Sequence, residues 1–374
     1  MSEDVKKGLL GIVVDETEVS KVMPEINSLT YRGYAAQDLC ARCNFEEVAY
    51  LILNGDLPNK KQLKEFEKQE KNERTLSKNL ISILKQMPKK AHPMDVARTA
   101  VSVMGLEDKQ TSDNSQKANL NKTMRILSKM PTALALFYRL RNGKKMISPK
   151  KKLSFAENFF YMCFGKVPNK DIVKAFDVSL ILYAEHSFNV STFTARTITS
   201  SLSDIHGAIT GAIASLKGPL HGGANEEVMQ MMKKIKKPER ALKWINKALD
   251  NKQVIMGFGH RVYKNGDSRV PTMREYFKKV SKIKKDKTFE KIYDIVEKVM
   301  IERKNIHPNV DYPTGPTYHL MGFDTDFFTP IFVLSRITGW SAHIMEQHAA
   351  NKLIRPLAKY KGSQHRKVLS LNYR

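Results

Sequence analysis

The stretch 286–303 reads DKTFEKIYDIVEKVMIER. Phe289, Ile292, Ile295, Val296 and Val299 recur at steps of three and four, with charged residues between them. That spacing sets the apolar side chains on one face of an amphipathic helix packed against a core. Segments 44–53, 94–104, 131–141 and 171–184 also read as helices. Further on, Thr329-Pro330 offers a capping hydroxyl before a first-turn proline, which predicts a long helix through IFVLSRITGWSAHIMEQ. Alternating patterns are scarce, and short strands are expected only near 11–14 and 29–32. Gly and Pro mark 165–168, 217–223, 257–266 and 308–316 as loops. The polar run EDKQTSDNSQKANLNKT (107–123) is expected to be a surface connection between helices. No internal repeat is present. The fold class is therefore all-α, with about 15 to 20 helices at the usual helix length.

Composition agrees. Of 374 residues, 41% are hydrophobic and 9% aromatic, enough for a true core, so wholesale disorder is excluded. The length suits two domains, or one large domain with a lobe. No apolar run nears the roughly 18 residues needed to cross a bilayer, and the opening MSEDVKKGLLGIVVDE lacks a secretory pattern. A cytoplasmic protein without a membrane partner is expected. The net charge is +25, from 63 Lys and Arg against 38 Asp and Glu. Lysines supply most of it, in short clusters such as 149–152, 233–237 and 282–287, with no arginine-rich arm or finger spacing. They read as solvated faces, not a nucleic-acid site, and their field favours encounter with small polyanions. Cys40 and Cys43 form a CxxC without the second pair a zinc site needs, and with Cys163 they are expected to be reduced structural thiols. The ten histidines are scattered, so no metal is expected.

Three segments concentrate reactive side chains. Gly218-Pro219-Leu220-His221-Gly222-Gly223-Ala224-Asn225 places a histidine at a helix entrance, where the ring stays neutral and can polarise a carbonyl. Met256-Gly257-Phe258-Gly259-His260-Arg261-Val262-Tyr263-Lys264, followed by Asp267-Ser268-Arg269, sets a histidine among cations and glycines that admit a ligand. Its GxG is too short for a dinucleotide fingerprint. Pro308-Asn309-Val310-Asp311-Tyr312-Pro313 puts an aspartate in a proline-bounded turn. Taken singly, each has a plain alternative: a structural histidine, a helix cap or Asx turn for Asp311, a buried polar network for Arg336 and His343.

Together and in this order, the segments resemble the citrate synthases. His221 in GPLHGGANEEV, His260 in MGFGHRVYK and Asp311 in HPNVDYPTG look like that family's two histidines and aspartate. The resemblance extends through YAEHSFNVSTFTAR (183–196), SRITGWSAHIMEQ (335–347) and IRPLAKYKG (354–362), and at the front through YRGY, FEEVAYLILNGDLP and HPMDVARTAV. Within the family, KGLLGIVVDETEVSKV, the YAEH spelling and YPTGPTYHLMGFDTDFFTPIF look most like the 2-methylcitrate synthases.

The resemblance implies condensation of propionyl-CoA with oxaloacetate and water to 2-methylcitrate and CoA, with side activity on acetyl-CoA. Citrate synthesis from acetyl-CoA is the alternative. It implies Asp311 as base, His221 as donor to the thioester oxygen and His260 as donor to the ketone. His186, Arg269, Arg336 and Arg355 would hold oxaloacetate; Val254, Ile255, Met256, Gly257, Phe258 and Lys304 would meet CoA. It implies no metal or bound cofactor, CoA thioester being a substrate. A two-domain helical fold is implied, a large domain of 1–215 and 325–374 and a small catalytic domain of 216–324. The chain would form a homodimer in which Arg355 serves the neighbouring site.

Overall fold

The computed structural model describes residues 5–9, 11–263 and 266–374. Lys264, which closes the MGFGHRVYK motif, lies outside them. Sixteen α-helices stand among the described residues. In order they are α1 (Ala36–Arg42), α2 (Phe45–Asn54), α3 (Lys60–Glu73), α4 (Lys78–Gln86), α5 (Pro93–Glu107), α6 (Gln116–Arg141), α7 (Phe155–Phe164) and α8 (Lys170–Tyr183). There follow α9 (Val190–Thr199), α10 (Ile205–Leu216), α11 (Ala224–Ile235), α12 (Pro238–Asp250), α13 (Val270–Lys284), α14 (Thr288–Lys304), α15 (Asp311–Met321) and α16 (Phe328–Ala349). The all-α class holds.

A small antiparallel sheet precedes them: β1 (Ser20–Met23), β2 (Ser28–Tyr31) and β3 (Tyr34–Ala35), in that order. Ser20 pairs with Tyr31, and Tyr31 with Tyr34. Arg32 and Gly33 form the tight turn between β2 and β3, and both take positive φ, as a two-residue hairpin of this hand requires. The strand expected at 11–14 is instead irregular and exposed, since nothing pairs with it.

Helix α16 is central. It is buried continuously from Phe328 to Ile344 and packs on α2, α6, α8, α9 and α10. Most of its side chains are apolar, which puts it inside, and its buried charged groups Arg336 and His343 have partners there in the Tyr183 carbonyl and Glu185. Helices α11–α15 pack chiefly on one another and meet the remainder mainly through α8, α16 and the short turn Thr325–Phe327.

Three further expectations need correction. The polar run 107–123 is only half a connection: Ser115 caps α6 by accepting from the Ala118 N–H, and α6 runs on through Pro131 to Arg141. Lys122 lies buried there, donating to the Thr111 and Asp113 carbonyls and so folding the loop onto the helix. Second, 308–316 is not a loop throughout, because α15 begins at Asp311. Pro313 falls in its first turn, where a missing N–H costs nothing. Third, Thr329 does not cap α16. The helix starts at Phe328, and the Thr329 hydroxyl donates to Glu226 of α11.

Beyond Ala349 the chain is irregular apart from a short final turn; Asn351 and Ile354 are half-buried and donate to Ser200, and from Arg355 onward it is exposed, with Leu357 81% and Tyr360 76% exposed. No helix among the described residues is long and apolar enough to cross a membrane.

Candidate active site

His221 stands two residues before Gly223, the cap of α11. The Ser191 backbone N–H donates to its Nε2 (3.2 Å), and the Ser191 hydroxyl lies 2.8 Å away. A backbone N–H can only donate, so Nε2 carries the lone pair and the neutral ring holds its proton on Nδ1. Ser191 is itself fixed, accepting from the Trp340 indole (3.1 Å) and reaching Asn189 Oδ1 (2.8 Å). Burial, and then the Arg336 charge, push His221 down to about 3. The imidazole is a neutral donor at any ordinary pH.

His260 mirrors it. Its Nδ1 accepts from the Val262 (3.0 Å) and Tyr263 (3.2 Å) N–H groups, so the proton sits on Nε2. Burial and the Arg269 charge lower it to about 4. The loop before it runs antiparallel to the chain entering α15: Gly259 N–H meets the His307 carbonyl (2.8 Å), and Asn309 N–H meets that of Gly257 (2.9 Å). Gly257 is required here. Its φ is 84°, and a Cβ would stand 2.5 Å from Val228 Cγ2. This pairing ties the His260 loop to Asp311.

Asp311 is the first residue of α15. Its carboxylate accepts the Tyr183 hydroxyl at 2.6 Å. Burial raises its pKa to about 6, against the opposing Tyr183 hydrogen bond and Arg269 and Arg336 charges. A carboxylate so destabilised is a stronger base, still ionised at neutral pH.

Cations surround these groups. Arg269 is buried and clamped by Asp267 through Nε (2.9 Å) and Nη2 (2.7 Å), and the same carboxylate accepts the Val310 N–H (3.1 Å) next to Asp311. Arg336 donates Nε to the Tyr183 carbonyl (2.7 Å) and lies 4.6 Å over Phe332, which leaves its two amino groups for an anion. Burial pushes it down to about 10, opposed by Glu185. His186 is 5.0 Å from His260 between ring centroids, and its buried Nε2 has no partner. Burial and then Arg269 hold it well below the ordinary histidine value. An orphaned buried ring nitrogen costs free energy unless a ligand completes it.

His186, His221, His260, Arg269, Asp311 and Arg336 thus come together. Three further residues of the cluster, Tyr183, Ser191 and Asp267, fall in stretches the sequence singles out but receive no role there. Only the position of Tyr183 at a helix end three residues before His186 hints at its part. Of the residues expected to meet CoA, Gly257 and Phe258 belong to the loop paired with the chain entering α15, the Phe258 ring 4.4 Å from Tyr312, while Val254 is 76% exposed and Ile255 is buried. Lys304 ends α14 at the surface. Arg355 is exposed on the C-terminal arm, with no partner among the described residues.

Cys40, Cys43 and Cys163 are free, and burial pushes all three thiols up, which leaves them unreactive. His343 and Glu346, three apart on α16, have a ligand-like spacing that the sequence reading missed. They pair with Glu185 and Arg196 instead. No group of His, Cys, Asp and Glu among the described residues is arranged to hold a metal ion.

The model of the citrate synthase C-terminal domain family matches residues 8–357. "2-Methylcitrate synthase 2" of Corynebacterium glutamicum is 52% identical over 99% of this chain and 98% of its own length. "Citrate synthase" of Mycolicibacterium smegmatis is 50% identical over 98% of this chain and 97% of its own. The solved structure of the citrate synthase from Thermoplasma acidophilum, a ternary complex with carboxymethyl coenzyme A and oxaloacetate, superposes with a TM-score of 0.94 at 32% identity, covering 100% of both chains.

Proposed function

The chain belongs to the citrate synthase family, and from that premise we propose that it condenses propionyl-CoA with oxaloacetate and water, giving 2-methylcitrate and CoA. One observation carries the chemistry: two neutral imidazoles, each with a known free N–H, beside a buried carboxylate raised to about 6. A carbon next to a thioester is a weak acid, so a carboxylate removes its proton only if the developing oxyanion is held. Asp311 takes that proton while His221 Nδ1–H donates to the thioester oxygen. His260 Nε2–H donates to the oxaloacetate ketone, whose carbon the enolate attacks. Water then hydrolyses the thioester and releases CoA. The amino groups of Arg336, with Arg269 and His186, receive the oxaloacetate carboxylates. Neither a metal nor a bound cofactor enters, because side chains supply every proton and charge.

Residues 254–258 and Lys304 are assigned to CoA, the exposed Val254 and the half-buried Met256 and Phe258 offering it an apolar edge. Residues 216–324 form the small domain and 1–215 with 325–374 the large one, which suits the mutual packing of α11–α15. Arg355 completes the site of a second copy. Its exposed arm, with Leu353, Leu357 and Tyr360 uncovered, suits wrapping around a neighbour. We place the reaction in the cytoplasm, in keeping with three free thiols.

A second reading, acetyl-CoA to citrate, draws on the 50% identity to the Mycolicibacterium citrate synthase. One methylene is worth about 1–3 kcal/mol of discrimination, so activity on both esters is expected. The test is the product. Incubation with propionyl-CoA and oxaloacetate should release CoA and yield 2-methylcitrate by mass spectrometry. No oxaloacetate-dependent CoA release from either ester would overturn the reading.

A further inference from the structure

Behind the oxaloacetate residues lies a buried charge network that the condensation does not use. Glu185 and His343 are both fully buried. Glu185 Oε1 accepts from His343 Nε2 (2.9 Å), from the Ser20 hydroxyl (2.8 Å) and from the Ser187 N–H. His343 Nδ1 faces Glu346 Oε2 at 3.7 Å and Arg196 Nη1 at 3.3 Å. Arg196 in turn donates to Glu346 Oε2 (2.7 Å) and to Asp15 Oδ2 (2.8 Å), and the Glu18 N–H meets Glu346 Oε1 (2.8 Å). A continuous path therefore runs from half-exposed Asp15 through α9 and α16 to the residue beside His186.

The charges balance, with Asp15, Glu185 and Glu346 against Arg196, His343 and Arg336. Burial works against both members of the inner pair. Even so, Glu185 holds His343 above its ordinary pKa, and His343 holds Glu185 below its own. A buried ion pair returns little net stability over an apolar pair of the same shape, so its stronger use is to fix geometry. The geometry fixed here is specific. Ser187 has a φ of 51°, a left-handed conformation unusual for serine. Its N–H is held by Glu185 and by the Ser20 hydroxyl (2.9 Å), so the two together set the turn that carries His186.

We propose that Glu185 and His343 are positioning residues of the oxaloacetate site, clamped from outside by the segment 15–20 through Asp15 and Ser20. They touch no reacting atom. They act on His186 through the 184–187 turn and on Arg336 through charge. The proposal rests on the oxaloacetate reading given above.

The test uses the full-length protein and the variants Glu185→Gln, His343→Gln and Asp15→Asn. Oxaloacetate Kd comes from titration calorimetry, and both KM values and kcat from CoA release. Residues coupled through a packed network shift binding by about two- to thirtyfold, so oxaloacetate Kd and KM should rise about tenfold in Glu185→Gln and His343→Gln. Asp15→Asn, at a half-exposed position where folding is not at stake, should give a smaller rise of about threefold. The acyl-CoA KM should stay at the wild-type value in all three. Lowered thermal stability with unchanged oxaloacetate Kd would overturn the proposal, as would wild-type Kd in folded Asp15→Asn. Parallel losses for both substrates would overturn it too. Wild-type protein that fails to bind oxaloacetate would instead refute the condensation reading itself.

Discussion

Replacing Tyr183 by Phe should move the acid limb of the pH–rate profile upward. Asp311 must be ionised to accept a proton, and the Tyr183 hydroxyl stabilises that ionised form from 2.6 Å. Burial raises the carboxyl to about 6, and the hydrogen bond keeps it from rising further. A hydrogen bond to a charged group contributes about 1.5–3 kcal/mol. At 1.36 kcal/mol per pKa unit, its loss corresponds to about 1–2 units. Water entering the space of one hydroxyl would recover part of this, which leaves about one unit. The ring itself stays, its centroid 4.0 Å from that of Phe332 and its plane tilted by 33°, so the perturbation is confined to the hydroxyl. The two imidazoles, at about 3 and about 4, are neutral throughout and do not contribute to this limb. The assay is kcat/KM for the acyl-CoA at saturating oxaloacetate, from about pH 5 to about pH 9, which reports the acyl-CoA-free enzyme. Wild type should lose activity below about pH 6, and Tyr183→Phe below about pH 7, with the variant about tenfold slower at about pH 5 beyond any change in its plateau. An acid limb that does not move, or moves down, would refute the role given to this hydrogen bond.

Other outcomes follow from the same geometry. Asp311→Asn should nearly abolish turnover while leaving oxaloacetate affinity within about twofold, since the base acts on the other substrate; intact turnover in folded protein would remove Asp311 as the base. Mixing His260→Ala with Arg355→Ala chains should restore about a quarter of the sites if Arg355 serves the neighbouring copy, because half the dimers are mixed and one site in each is intact. Failure to complement, with subunit exchange verified, would return Arg355 to its own chain or to no site. Glu46→Gln should stabilise the protein at alkaline pH. Burial raises this carboxyl from 4.5 to about 8, so the folded state binds the proton more tightly, and stability falls as pH rises between those values. The amide carbonyl can still accept the Phe155 N–H that Glu46 now holds at 2.7 Å. The gain in Tm should therefore be large at about pH 8.5 and vanish near about pH 4.5; an equal gain at both would contradict the assigned cause.

What the sequence discloses depends on how local the deciding interactions are. Helix α14 is legible because its apolar stripe is written in consecutive turns, and α16 because a long apolar run must be buried. Helix α15 is masked by Pro313 and Pro316: the first falls in the opening turn, where its missing N–H costs nothing, and the second lies inside the helix, which nevertheless runs on to Met321. The hydroxyl of Thr329 looks like a cap yet bonds Glu226, about a hundred residues away, which no local rule foresees. His221, His260 and Asp311 stand out because glycines and prolines frame them. Tyr183 does not: its value comes from one hydrogen bond across 128 residues of sequence. The tautomers of the two histidines are likewise set by backbone donors, Ser191 N–H for one and Val262 and Tyr263 N–H for the other, which only the fold brings near.

The acyl preference is the most direct test of the assigned reaction. The measurement is kcat/KM for propionyl-CoA and acetyl-CoA at saturating oxaloacetate on one preparation. The value should be higher for propionyl-CoA, with measurable turnover of both esters. A tenfold or greater preference for acetyl-CoA would contradict the assigned reaction and make citrate the product.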